Sequence, residues 1–474
     1  MAQTLKPYPK YKDSGVSWLG KVPAHWSIEP GLSTFREKHS PNIGMIETTV
    51  LSLSYGSIVV KPPDKLHGLV PESFETYQII DPGDIVIRPT DLQNDQTSLR
   101  VGIARDRGII TSAYMCLRTT DSAIPDYGYL LLHAYDLVKV FYGMGTGLRQ
   151  NLDFTDLKRM PVVIPSEGEQ ECIVRFLAHA NRRINRFIRA KRRLIELFNE
   201  QKRAIIHRAV TCGLDPNVRL KPSGIDWLGD VPEHWEVRRL RSLAKFVTSG
   251  SRGWAQYYSD EGPVFLRIGN ISTESVDLKL GDIQRVRPPA GSEGERTRVE
   301  PDDVLVSITA LMGAVGIVPQ DLGEAYVNQH TALVRLDKRK CLPRWVAYFL
   351  ISLAGKHQSY VFTSGGTKDG LELSDVKNLT VLLPSMDEQR HIIAEIDCDT
   401  GAIDIALHRA LSQIDFIREY RSRLIADVVT GKLDVRRVEL PALDEDEMIG
   451  EWDEGTEEEA DETTETEEIA LADV

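Results

Sequence analysis

The chain has 474 residues, long enough for two to four domains, in the composition of an ordinary soluble protein. Cys116, Cys172, Cys212, Cys341 and Cys398 are odd in number and never fall as Cys-x-x-Cys, which argues against a disulfide framework and a zinc site. There is no run of ~18 apolar residues, and the N-terminus MAQTLKPYPK lacks the basic start and apolar core of a signal peptide; no membrane role is expected, and the cytoplasm is the expected compartment. The net charge of −13 looks wrong for a nucleic-acid binder, but residues 438–474 hold 17 acidic and no basic residues. The chain before them carries 57 basic and 53 acidic residues. That acidic tail has too few apolar groups to bury and is expected to be disordered, as a solubilising segment or as a competitor for a basic surface.

In chain order, residues 12–26, KDSGVSWLGKVPAHW, return at 221–235 as KPSGIDWLGDVPEHW, identical at ten of fifteen positions, so the chain is internally duplicated. The shared Trp18/Trp227, Leu19/Leu228, Val22/Val231, Pro23/Pro232 and Trp26/Trp235 read as a docking segment that packs aromatic surface against something common to both halves. His25 and His234 have no nucleophile or carboxylate pattern around them, and a structural hydrogen-bonding role is expected.

A region of short strand-like runs follows each copy. In the first, DPGDIVIRPTD, VGIARDRGIITSAYMCLR and MPVVIPS read as strands and DYGYLLLHAYDLVKVFY as a helix. In the second, EPDDVLVSITA, GAVGIVPQ, AYVNQHTALVRL and LTVLLPS read as strands and RWVAYFLISLAGKHQ as one helix. A glycine-rich loop closes each region, at 143–158 and 364–377. Its glycines suit close backbone approach to a phosphate and equally suit a plain turn.

Two long helices follow, 169–212 and 388–430, each entered through Pro-x(4)-Glu-Gln (Pro165 with Glu169-Gln170, Pro384 with Glu388-Gln389). In the second, Ile403, Leu407, Ala410, Ile414, Ile417, Arg421, Leu424 and Val428 follow in steps of four and three, the spacing of a coiled-coil seam. At a constant offset of 219 the first reads Ile184, Ile188, Lys191, Ile195, Phe198, Lys202, Ile205 and Ala209, with Phe187 and Leu194 widening the apolar face. Gly213 is a natural C-terminal cap, and Gly401 interrupts the second helix at a cost of about 1 kcal/mol relative to Ala. A helix of ~40 residues leaves its stripe in water unless it has a partner, and the other copy is the expected one. The ~170 residues between them cannot carry the chain back along ~60 Å, so the pair should be antiparallel, with one globular region at each end. The first helix carries 11 basic and 4 acidic residues over 169–208, a face that suits solvent or a phosphate backbone.

A catalytic site is not legible. No Asn/Asp-Pro-Pro-aromatic methyltransferase motif and no G-x-x-x-x-G-K-[ST] loop occur. A loose nuclease-like pattern of Pro125, Asp126, Asp156 and Lys158 loses its first carboxylate in the second half, where Arg344 stands. What remains is recognition chemistry: Arg or Lys on guanine, Asn or Gln on adenine, Ser or Thr on either. In the second half such groups cluster at Arg267, Asn270, Thr309, Asn328, Gln329, His330 and Lys368. In the first they are Arg88, Thr90, Gln93, Asn94, Gln96, Arg149 and Gln150. Each taken singly is also an ordinary loop residue.

The order of segment, globular region and long helix, repeated and followed by a tail, resembles that of the specificity subunit of type I restriction-modification systems over residues 12 to about 437. The duplicated WLGxVPxHW, the Pro-x(4)-Glu-Gln entries and, in the second half, LRIGNI, VNQHTALVRL and GGTKDGLELSDVKNLTVLLP carry the resemblance. The first half departs further from the pattern, above all in GTGLRQNLDF. The expected fold is α+β: two mixed α/β target-recognition domains joined by two long helices in an antiparallel coiled coil, with a pseudo-two-fold internal repeat. The expected divisions are 1–165 and 215–383 for the domains, 166–214 and 384–437 for the helices, and 438–474 for the tail. The resemblance implies a non-catalytic subunit that binds an asymmetric bipartite site in double-stranded DNA. It implies no cofactor in this chain; S-adenosylmethionine, ATP and Mg would serve its partners, two methylation subunits and the restriction subunits. The alternative is a single-chain nuclease or methyltransferase with its own active site; a coiled-coil scaffold that binds only protein is a third reading.

Overall fold

The structure is a computed structural model that describes residues 5–62, 73–90, 92–93, 95, 98–144, 151–250, 252–288, 291–363 and 370–440. Its described residues divide into two compact units, one built from those up to Lys191 and from Leu411 onward, the other from Arg192–Ala410. Both boundaries fall inside the long helices, so each helix gives one half to each unit.

In the first unit, β1 (Ser27–Pro30), β2 (Phe35–Glu37), β3 (Ile85–Ile87), β4 (Val101–Ile103), β5 (Met115–Thr119), α1 (Pro125–Leu137), α2 (Phe154–Arg159) and β6 (Pro161–Ile164) lead into α3 (Glu167–Cys212). The strands β2-β5-β3-β4 form one antiparallel sheet, and β1 pairs with β6. β3 and β4 bury every residue, the pattern of strands covered on both faces, and α1 closes one of them with Tyr127, Leu130, Leu131 and Ala134.

The second unit repeats this order. It contains β7 (Glu236–Arg239), β8 (Ala244–Ser249), β9 (Tyr258–Leu266), β10 (Gln284–Val286), β11 (Val304–Ser307), β12 (Val315–Ile317), β13 (Ala325–Val327), β14 (Thr331–Leu336), α4 (Pro343–Ile351), α5 (Leu353–Thr363), α6 (Leu373–Asn378), β15 (Thr380–Leu383) and α7 (Met386–Val429). The sheet β8-β14-β11-β12 matches the one above strand for strand, and β7 pairs with β15 as β1 does with β6. Beside it stands a second sheet, β10-β9-β13, with β9 and β13 parallel, where the first unit has two antiparallel pairs, Leu51–Ser54 with Ser57–Val60 and Gln78–Ile80 with Gly108–Ile110.

The stretch expected as one helix over 344–358 is two. Ser352 leaves the helical region at ψ 166°, and its buried hydroxyl donates to the Phe349 carbonyl at 2.7 Å. A Cβ on Gly355 would stand 2.1 Å from the Leu350 carbonyl oxygen, so the tight turn between α4 and α5 needs glycine there.

Each unit shows the long helices running antiparallel. In the first, Asn181 and Asn185 of α3 meet Arg421 of α7, and Ile173 and Leu177 share a core with Leu424, Ile425 and Val428. In the second, Lys202 meets Asp404, and Ile206, Ala209 and Val210 share a core with Ile392 and Ile396. Paired residue numbers rise on one helix as they fall on the other. Of the seam residues, Ile184, Ile188, Lys202 and Ala209 on α3 and Ile403, Ala410, Ile414, Arg421, Leu424 and Val428 on α7 are buried. Phe187, expected to widen the apolar face, is instead exposed with Lys191 against its ring.

The duplicated docking segment belongs to these cores. Leu19, Val22 and Trp26 join the first, and Val231 and Trp235 the second, where Trp235 stands edge-on to Trp345 at 5.5 Å. His25 Nε2 lies 2.9 Å from Glu169, and His234 Nε2 3.0 Å from Glu388, so each histidine is latched to the glutamate at the entry of the adjoining helix. The second oxygen of that glutamate takes the Tyr8 hydroxyl in the first unit and the Trp235 indole N–H in the second. The following glutamine ties three elements together. Gln170 donates to the Pro165 and Ser122 carbonyls and accepts from the Ile124 N–H, just ahead of α1. Gln389 donates to the Pro384 carbonyl and accepts from the Leu342 N–H, just ahead of α4. The Glu-Gln entry is thus the joint between helix, head and docking segment.

Candidate nucleic-acid interface

In the second unit, strand ends converge because of how the strands pair. β9 and β13 run parallel, so Arg267 and Asn328 leave them at one end, joined by the Asn328 N–H on the Leu266 carbonyl at 3.0 Å. β11 and β14 run antiparallel with Ser307 opposite Thr331, so the residues after Ser307 and before Thr331 share an end. The Ile308 N–H donates to the His330 carbonyl at 3.0 Å, and the Leu371 N–H to the Ile308 carbonyl at 2.8 Å. That last bond brings the end of the glycine loop to the same place.

Six of the seven residues expected here are described, and they split by environment. Asn270 is buried, and three of its hydrogen-bonding valences are used: it accepts from the Arg267 N–H and donates to the Lys279 and Asp282 carbonyls at 2.9 Å each. Asn328 is buried as well, with its carbonyl oxygen taken by the Thr331 hydroxyl. These two amides hold loops in shape. Thr309, Gln329 and His330 are partly exposed and form a chain: the Thr309 hydroxyl lies 3.0 Å from His330 Nδ1, and His330 Nε2 lies 2.9 Å from Gln329 Nε2. With the Gln329 amide as the donor, that His330 nitrogen is the acceptor. Arg267 is partly exposed and pairs with Asp282 at 3.2 Å. Lys368 lies outside the described residues.

In the first unit, Arg88 and Thr90 follow β3 and Gln93 is exposed, while Asn94, Gln96, Arg149 and Gln150 lie outside the described residues. The organiser of this loop is Arg100, which reads in sequence as one more surface cation and is fully buried. Its guanidinium donates to the Thr90 carbonyl at 2.6 Å, the Asp95 carbonyl at 2.5 Å and the Tyr142 hydroxyl at 3.1 Å. Its backbone N–H goes to Asp136 at 2.6 Å, whose carboxyl burial pushes above the ordinary carboxylate range. The Leu152 N–H donates to the Pro89 carbonyl at 2.9 Å, at positions 219 residues before Leu371 and Ile308. The same backbone clip therefore joins the glycine loop to a strand end in both units, with Thr90 and Thr309 at matching places. An ion pair also recurs, Arg118 on Asp84 at 2.8 Å and Arg335 on Asp303 at 2.9 Å, with the aspartates at the same offset and the arginines two residues short of it.

The residues of the loose nuclease pattern are engaged otherwise. Asp126 pairs with Arg105 at 2.6 Å, and Asp156 closes the capping box of α2 with Asp153. Among the described residues no group of three or more His, Cys, Asp or Glu could hold a metal, and no helix is long and apolar enough to cross a membrane.

Residues 232–410 match the family model of the type I restriction modification DNA specificity domain. A putative type I restriction enzyme MjaX specificity subunit of Methanocaldococcus jannaschii is 21% identical over 433 residues, covering 88% of this chain and 96% of that one. The type I restriction enzyme EcoBI specificity subunit of Escherichia coli is 24% identical over 221 residues, 45% of either chain. A solved chain from work on complex assembly and conformational transition of the type I R-M system superposes with a TM-score of 0.59 at 14% identity, covering 87% of this chain and 99% of that one. The domain match, the relative of nearly full length and the duplicated architecture make this chain similar, along most of its length, to specificity subunits of type I restriction-modification systems.

Proposed function

We propose that the chain directs a type I restriction-modification complex to an asymmetric, bipartite DNA sequence, one half read by each head, and does no chemistry itself. The observation that carries this is the repeated clip of a glycine loop to a strand end, Leu152 on Pro89 and Leu371 on Ile308, beneath loops of different sequence. A common frame with unlike reading residues is what two half-sites of unlike sequence require. In the second head Gln329, His330, Thr309, Arg267 and Lys368 are the proposed readers. In the first they are Arg88, Thr90, Gln93, Asn94, Gln96, Arg149 and Gln150. Asn270 and Asn328 act behind them as positioning groups.

The docking segments and helix halves, being equivalent in the two repeats, suit two copies of one partner, a methylation subunit for each. Methylation of adenine with S-adenosylmethionine and ATP- and Mg-dependent restriction belong in this reading to the partner subunits, in the cytoplasm. The test is to purify the chain alone and with its methylation subunit and to measure DNA binding and methyl transfer, while the modified motif is read directly in genomic DNA. Methyl transfer only with the partner, on a motif of two unlike halves around a fixed gap, is the expected result; cleavage or methylation by the chain alone would overturn it.

A further inference from the structure

Two buried cations sit in the mainly apolar seam of the long helices, and the repeat relates them. Lys202 and Arg421 are 219 residues apart, the offset that aligns α3 with α7, and their partners Asn185 and Asp404 are 219 apart too. In the second unit Lys202 Nζ donates to Asp404 at 2.6 Å. In the first, Arg421 Nη1 donates to Asn181 and Asn185 at 3.4 Å each. Both cations are 7% exposed.

An apolar seam alone tolerates a slip of seven residues, because Ile, Leu and Ala then face Ile, Leu and Ala again. The cations do not tolerate it. A slip one way would set Lys202 against Leu411 and Arg421 against Arg192. A slip the other way would set Lys202 against Asp397, an acceptable partner, but Arg421 against Ala178. A buried cation without an acceptor is strongly disfavoured. Lys202 therefore guards one direction, and Arg421 with its asparagines guards both.

We propose that Lys202 and Arg421 are positioning residues that fix the register of α3 on α7, and that this register sets the gap between the two DNA half-sites. The second clause rests on the function proposed above; the first does not.

The test uses the full-length chain with its exposed cysteines replaced and spin labels at Glu196 and Arg409. The parent should give one narrow distance. The variant Lys202→Met, Arg421→Leu, Asn185→Leu keeps the seam filled, and should give a second, longer-distance population, because a slip of seven residues carries one label about 10 Å along the helix axis past the other at 1.5 Å per residue. In cells that variant should modify motifs with more than one gap length while both half-sites stay unchanged. A single unchanged distance in the variant would overturn the register role, even if its melting temperature fell. Slipped distances in a chain whose parent modifies no bipartite motif would uphold the register role and sink the reading of function instead. Should the triple variant not fold, K202D decides: its distance should broaden and K202D/D404K should restore it, whereas no broadening in K202D overturns the proposal.

Discussion

Gln329 and Asn270 have the same functional group and opposite circumstances. The Gln329 amide is partly exposed, with one N–H held by His330, so its oxygen and second N–H can meet an adenine edge together. Gln329→Ala should leave the melting temperature nearly unchanged and relax one half-site by about 1–3 kcal/mol of discrimination, read as new bases at one position of the modified motif. Asn270→Ala removes a buried group with three hydrogen bonds and should cost about 1–3 kcal/mol in denaturant unfolding, with no change of motif in whatever protein remains folded. Composition pointed to both residues equally, because a sequence shows which side chains can read a base and not which are already occupied by carbonyls. Arg100 is the converse, a loop organiser hidden among surface-like cations. Its neighbour Asp136 offers a test with a definite sign. Burial holds the folded carboxyl above its unfolded value, so its contribution is most favourable at low pH and is lost as pH rises through the folded value. Asp136→Asn keeps an acceptor for the Arg100 N–H and removes the buried charge. It should stabilise the protein by about 1 kcal/mol at pH 7, by an amount that shrinks toward pH 4 in unfolding titrations.

At the scale of elements, the long helices were legible from period alone, since seam spacing survives whatever covers it. Gly401 was expected to interrupt α7, and the helix runs through it; a Cβ there would meet nothing within 4 Å. Gly401→Ala should therefore stabilise the chain by up to about 1 kcal/mol, seen as a higher denaturant midpoint. The split between α4 and α5 was not legible, because it depends on Gly355 lying against the Leu350 carbonyl, a contact that composition cannot reveal. The latch of His25 on Glu169 and of His234 on Glu388 was half legible: the histidine and the Glu-Gln entry both recur, but nothing in the sequence said that they meet. The basic face of α3 gives a third element-scale expectation. Arg189 and Arg193 are exposed, so Arg189→Glu with Arg193→Glu should weaken binding to every DNA sequence alike and lower the slope of log K against log salt by about 2 or more. An unchanged slope would mean that this face does not meet phosphate.

For the whole molecule, the proposal that matched helices set the gap between half-sites can be tested where both helices pass from one unit to the other, after Lys191 and after Ala410. An insertion in α3 alone must break a pairing, for it displaces either Lys202 from Asp404 or Asn185 from Arg421. A matched pair of insertions does not. Seven residues placed after Lys191 and seven after Ala410 leave Asn185 opposite Arg421 and Lys202 opposite Asp404. They add ~10.5 Å of helix at 1.5 Å per residue and turn it only ~20° from the original facing. On DNA rising ~3.4 Å per base pair, that length is about three pairs. Because the clips at Pro89 and Ile308 are untouched, both half-site sequences should persist, and the modified motif should carry a gap longer by about three base pairs. The matching insertion in α3 alone should give no modification and a lower melting temperature. A doubly extended chain that is folded, active and still modifies the original gap would mean that the distance is set elsewhere than in the helices.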